Sequence, residues 1–130
     1  VGSERVKGAY AYNQLLQQNG WLPLGTDFPL EDISTFKTFY AAVVRKDAKG
    51  WPTEGYQMEN ALTREQTLRG MTIWAAKSNF EENEKGSLEK GKLADFIILD
   101  TDIMKEAPEK ILNIQVLKTF VGGEKVYEKK

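Results

Sequence analysis

The chain has 130 residues, 41% apolar and 28% charged, a formal net charge of -1 and a pI near 5.6, which suits one domain with a real core. Its 18 Lys and Arg are interspersed with 19 Asp and Glu, so there is no basic field, and nucleic acid is not an expected partner. The absence of cysteine excludes a disulfide framework and a thiolate nucleophile or ligand, and the absence of histidine removes the usual metal ligand and near-neutral general base, so self-contained catalysis is not expected.

No run approaches the roughly 18 apolar residues of a membrane span, so a membrane is not expected as a partner either. The chain opens with Val1 and has no initiator methionine, as a processed or excised piece would. Ser3 and Glu4 read as a cap and first-turn acid. Val6, Ala9, Tyr10 and Leu16 follow at near-helical spacing, and Asn19-Gly20 supplies the stop, so one amphipathic helix is expected.

It feeds the stretch GWLPLGTDFP, in which Trp21, Leu22 and Leu24 make a short apolar run before Gly25, Thr26 and Asp27. This reads as a buried strand over 21–26 with a carboxylate, Asp27, at its end. In a parallel α/β architecture chemistry collects at the C-terminal ends of strands, which makes Asp27 a candidate functional group. Asp before an aromatic-Pro pair is also a common turn-former, its side chain accepting backbone N–H bonds. On the residues alone the turn reading is the better supported.

After Pro29, Phe36, Phe39, Tyr40 and Val43 fall at i, i+3, i+4 and i+7 with Val44 beside them, the packing face of a second helix. Residues 47–61 carry Gly50, Pro52 and Gly55 and form a loop, while Trp51, Tyr56 and Met58 give it more apolar material than a linker requires, as in a substrate-facing loop. Thr63 and Gln66 form a capping-box pattern. It launches a third helix to about Phe80, with Leu68, Met71 and Ala75 on one stripe, Trp74 beside it, and Gly70 placed for close backbone packing.

From Glu81 the character changes. The run Phe96 to Leu99 is strongly β-prone, a turn is expected near Pro108 to Leu112, and a strand over Val116 to Val121 should return through Gly122-Gly123 to a partner at Lys125 to Tyr127.

Four stretches, ERVKGAYAYNQLL, LGTDFPLE, FYAAVVR, and GSLEKGKLADFIILD with VLKTFVGGEKVY, together resemble the C-terminal part of the metal-dependent amidohydrolases, in the YtcJ-like branch called amidohydrolase family 3. The resemblance covers essentially the whole chain. It implies an α/β fold: the C-terminal fragment of a (β/α)8 metal-dependent hydrolase barrel, contributing the last strand and flanking helices over 1–82, plus part of the associated β-sandwich over 83–130.

On that template Asp27 matches the family's strand-end aspartate, which binds a metal or the metal-bound water, takes the proton of the attacking water and passes it to the departing amine. The family's His ligands lie upstream of anything present here. A divalent metal, zinc by resemblance, is thus expected in the full-length enzyme and none in the isolated chain. The implied partner is a small-molecule amide-type substrate, cleaved at a C–N bond other than a peptide bond.

Arg45, at the end of the α-helical stripe and beside the loop, is the further candidate for substrate contact; a charge favoured by the helix dipole is the alternative. Asp95 and Asp100 correspond to turn and strand-end residues, and Asp100 with Asp102 could imitate an oxygen-rich cation site. The isolated chain is expected to be inactive and to self-associate through open edges. One rival reading is a non-catalytic α+β binding or assembly module with an amidohydrolase-like fold. A second is a deaminase or cyclic-amide hydrolase of the same superfamily.

Overall fold

A computed structural model describes residues 2–130. Five helices, α1 Ser3–Val6, α2 Tyr12–Asn19, α3 Thr35–Val44, α4 Arg64–Met71 and α5 Ile73–Ser78, precede three strands, β1 Phe96–Leu99, β2 Val116–Val121 and β3 Glu124–Glu128, with short 3-10 helices at Met58–Asn60 and Pro108–Asn113. The result is a mixed α/β unit in which α3 is central. Its Ala42 packs with Leu16 and Leu62 in one buried cluster. Its Phe39 and Tyr40 pack with Ile111 in another, with Val43, Met71 and Ile103 at the margin. The aromatic stripe read from sequence is therefore core, and its Phe39 is 1% exposed.

The expected first helix is two pieces. Tyr10 sits at φ 58, a left-handed backbone that a helix cannot contain, so the turn Ser3–Val6 ends and α2 starts afresh at Tyr12. Gly2, not Ser3, is the N-cap residue of α1. The C-terminal stop is as read: Gly20 is left-handed at φ 78, and its N–H donates to the Leu16 carbonyl at 2.7 Å.

The capping box at Thr63 is formed in both directions, the Gln66 N–H donating to Thr63 Oγ1 at 3.1 Å and the Thr63 N–H to Gln66 Oε1 at 2.9 Å. The helix it launches breaks at Thr72, where φ is -126 and ψ is -97, so one expected helix is α4 and α5. Its buried face also differs. Met71 of the expected stripe and Trp74 beside it pack against the two clusters, but Leu68 is exposed and the buried residues are Thr67, Gly70 and Ala76; Gly70 is the close approach read from sequence, since a Cβ there would stand 2.9 Å from the Leu22 carbonyl oxygen and 2.8 Å from Leu24 Cγ.

The three strands form an antiparallel sheet in the order β1-β2-β3. Phe96 faces Phe120 across the first pair, and their rings stack with centroids 4.5 Å apart. Gly122 and Gly123 close the hairpin at φ 57 and 84, the positive-φ pair that a two-residue primed turn requires. Side chains pin the sheet ends: Asp95 Oδ1 accepts the Gly122 N–H at 2.7 Å and Asp100 Oδ1 the Gln115 N–H at 3.0 Å. Between β1 and β2 the chain leaves the sheet and enters the helical core through Ile103 and Ile111, where the Arg64 guanidinium donates to the carbonyls of Ile103 and Glu106.

The expected strand over 21–26 is not a paired strand. Among the described residues it carries no ladder. Its one main-chain bond to another element runs from the Leu24 N–H to the Gly70 carbonyl at 2.9 Å. A strand needs neighbours on its edges to satisfy its donors and acceptors, and the sheet lies elsewhere.

Candidate functional site

Segment 21–26 ends at Asp27, whose backbone is left-handed at φ 57, a conformation Asp tolerates better than most residues. The turn that follows is built by main-chain atoms. The Asp27 carbonyl accepts the N–H groups of Leu30 at 2.9 Å and Glu31 at 3.2 Å, while Thr26 Oγ1 takes the Phe28 N–H at 3.3 Å. The Phe28-Pro29 peptide is cis. Asp27 therefore does form a turn, but through its carbonyl. Its carboxylate makes no hydrogen bond or ion pair among the described residues and is exposed.

Nearby Asp32 is the opposite case. Lys37 Nζ donates to it at 2.7 Å and the Ser34 N–H at 2.8 Å, and the Lys37 bond above all holds its pKa below the ordinary carboxylate value.

Asp27 and Arg45 line the same open depression, of about 960 Å³, together with Tyr12, Asp47, Trp51 and Tyr56. Arg45 caps α3 in a left-handed conformation, φ 57 and ψ 37, and is only 6% exposed. Nε donates to the Tyr56 carbonyl at 2.9 Å. The guanidinium lies 5.4 Å from the Tyr12 ring centroid and 5.6 Å from that of Tyr56, within cation–π range of both. Nη2 is buried without a partner among the described residues.

The loop after α3 closes on Asp47. The carboxylate of Asp47 accepts the N–H of Lys49 at 2.8 Å and of Trp51 at 2.9 Å, and its own N–H donates to the Trp51 carbonyl at 2.8 Å. The Trp51 bond is the main reason the Asp47 pKa is lowered. Trp51 itself is 70% exposed.

The structure thus joins the two residues singled out in sequence and adds Tyr12, whose ring on Arg45 no local pattern announces. The aromatic content of loop 47–61 was the legible signal for Trp51 and Tyr56. Asp100 and Asp102 do not form a cation site. Asp100 is spent on the Gln115 N–H, and Asp102 accepts the Met104 N–H at 2.9 Å with Lys105 beside it. Nor do the residues present fit a metal by themselves: no three His, Cys, Asp or Glu side chains come together among the described residues, and a catalytic metal takes about three protein ligands.

The profile of the family described as the amidohydrolase family matches residues 1–127, and the chain belongs to that family. It is 39% identical over 132 residues to Protein LONG AFTER FAR-RED 3 of Arabidopsis thaliana, covering 98% of this chain and 21% of that protein. It is 34% identical over 106 residues to an N-substituted formamide deformylase of Arthrobacter pascens, covering 82% of this chain and 19% of that one. Among solved structures, an amidohydrolase from Thermotoga maritima MSB8 superposes with a TM-score of 0.58 at 21% identity, over 92% of this chain and 26% of that chain; at that identity the likeness speaks for the fold. The chain therefore spans about a fifth of the length of the curated relatives it matches.

Proposed function

We propose that this chain is the C-terminal portion of a metal-dependent amidohydrolase that cleaves a C–N bond other than a peptide bond in a small amide. Asp27 is the carboxylate that moves the proton. The observation that carries this reading is the exposed Asp27 carboxylate, freed by a turn made of main-chain atoms and presented to the depression that Arg45 and the 47–56 loop also line. Family membership over residues 1–127 supports the reaction class, and the formamide deformylase relative supports a non-peptide amide.

In this reading segment 21–26 is the last strand of a barrel whose neighbouring strands lie outside the chain. Its single main-chain bond to Gly70 supports that, since the remaining polar groups await partners. Residues 1–82 form the end of the barrel and 83–130 part of a β-sandwich. The family's divalent metal, zinc by resemblance, would be held by Asp27, directly or through its bound water, together with groups outside this chain, and the isolated chain is inactive. Asp27 accepts a proton as water adds to the amide carbonyl, then delivers it to the nitrogen as the C–N bond breaks, giving acid and amine. Arg45, 6% exposed, serves the substrate side through the loop that it holds.

The test is Asp27→Asn in a protein that spans the full length of its relatives. Turnover should fall by about 10²- to 10⁴-fold, the usual weight of a general base, with an unchanged melting temperature. A variant that keeps most of the wild-type turnover removes Asp27 from the reaction.

A further inference from the structure

We infer that the loop after α3 is a preformed substrate wall in which Trp51 selects a flat apolar group on the amide substrate, and that Arg45 is the positioning residue that holds this wall in place; the inference rests on the amidohydrolase reading of the depression. Trp51 is 70% exposed, yet its backbone is not free. Its N–H is bound to Asp47 Oδ1 at 2.9 Å and its carbonyl to the Asp47 N–H at 2.8 Å, while the Gly50 N–H closes onto the Asp47 carbonyl at 3.0 Å. A large aromatic side chain is thus held out toward the depression on a backbone whose own bonds are satisfied. That is the arrangement in which a ring offers a face for stacking at little ordering cost.

The other end of the loop is fixed by Arg45. The Tyr56 N–H donates to the Arg45 carbonyl at 2.7 Å, Arg45 Nε returns a bond to the Tyr56 carbonyl at 2.9 Å, and the guanidinium is covered by the Tyr12 and Tyr56 rings. At 6% exposure the guanidinium has little surface for a ligand, so its effect on substrate passes through the loop. Trp51, by contrast, is open, and it shares its depression with the free Asp27 carboxylate. An apolar wall with a few convergent polar groups is the usual make-up of a small-molecule site.

The experiment uses a protein spanning the full length of its relatives, supplied with divalent metal, and two amides that differ only by one phenyl group. Trp51→Ala should raise KM for the phenyl-bearing amide about tenfold and leave its kcat, and both constants for the other amide, within about twofold; Trp51→Phe should regain most of the loss. Arg45→Met should give the same phenyl-selective loss, and the double variant should lose no more than either single one. Should Arg45→Met fail to fold, the two Trp51 variants decide the matter. Equal losses on both amides with a lowered melting temperature would make Trp51 a packing residue against the rest of the protein and overturn the inference, as would no change on either. A wild-type protein that cleaves neither amide would instead bring down the amidohydrolase reading, and this inference with it.

Discussion

The helical part and the sheet of this chain are held together in different ways. Around α3 two clusters of buried residues form, and Phe39, Ile111, Asn60 and Thr67 are almost wholly removed from water. In the sheet no strand residue is buried, and every residue of β3 is exposed. The first region is stabilised by packing, the second by its ladder and by pairs such as Phe96 with Phe120 and Lys118 with Glu128, which are 3.0 Å apart. A sheet normally buries at least one face against another layer. Here Ile97, Ile98, Val121, Val126 and Tyr127 remain substantially exposed, so the sheet has an unmet need for a cover that the helical part does not share.

The largest effect that would sharpen this contrast is association. With both edges and much apolar side-chain surface open, the isolated 130-residue chain should self-associate through the sheet; sedimentation showing a monomer at every concentration would count against it. Next comes the cost of truncation. Phe39→Ala should cost about 3 to 5 kcal/mol, as for other buried Phe side chains, and Phe120→Ala only about 1 to 2 kcal/mol, the worth of a stacked pair and partial burial. Equal shifts in denaturation midpoint would break the comparison. Replacing both Gly122 and Gly123 by Val places β-branched residues at positive φ and should destabilise the hairpin by about 1 to 3 kcal/mol, read as faster hydrogen exchange in β2 and β3 with α3 unchanged.

The smallest effect is that of acid on the Asp47 loop. Hydrogen bonds from Trp51 and Lys49 lower the Asp47 pKa from its ordinary 3.8. The stabilisation is therefore present above the ordinary value and is lost as pH falls through the lowered one. Trp51 fluorescence, isolated by replacing Trp21 and Trp74 with Phe, should change over that acid range and stay flat in Asp47→Asn.

Periodicity exposed the packing face of α3, and turn chemistry placed the Gly122-Gly123 hairpin, the Thr63 capping box and the Gly20 stop, because each depends on residues close in sequence. What escaped depends on distant partners or on backbone angles that side-chain type only weakly dictates. Tyr10 and Thr72 break helices that hydrophobic spacing would continue. Segment 21–26 has a strand's composition, yet composition cannot supply neighbours. At the site, Asp27 was legible as a position, but not the fact that its carbonyl makes the turn and leaves the carboxylate free. Arg45 was legible as a helix-end charge, but its burial between Tyr12 and Tyr56 depends on α2 and the loop meeting at α3.

Ile111, fully buried against Phe39 and Tyr40, has a consequence for how the protein is made. Chains emerge from the ribosome N-terminus first, so α3 is complete and exposed long before the residue that fills its second cluster has been synthesised. Until the segment between β1 and β2 arrives, the side of Phe39 and Tyr40 that Ile111 covers has no partner from that segment. The first cluster of the helical core can therefore close early while the second closes late, and a ribosome stalled before Ile111 would display a nascent chain whose Phe39 and Tyr40 lack that partner.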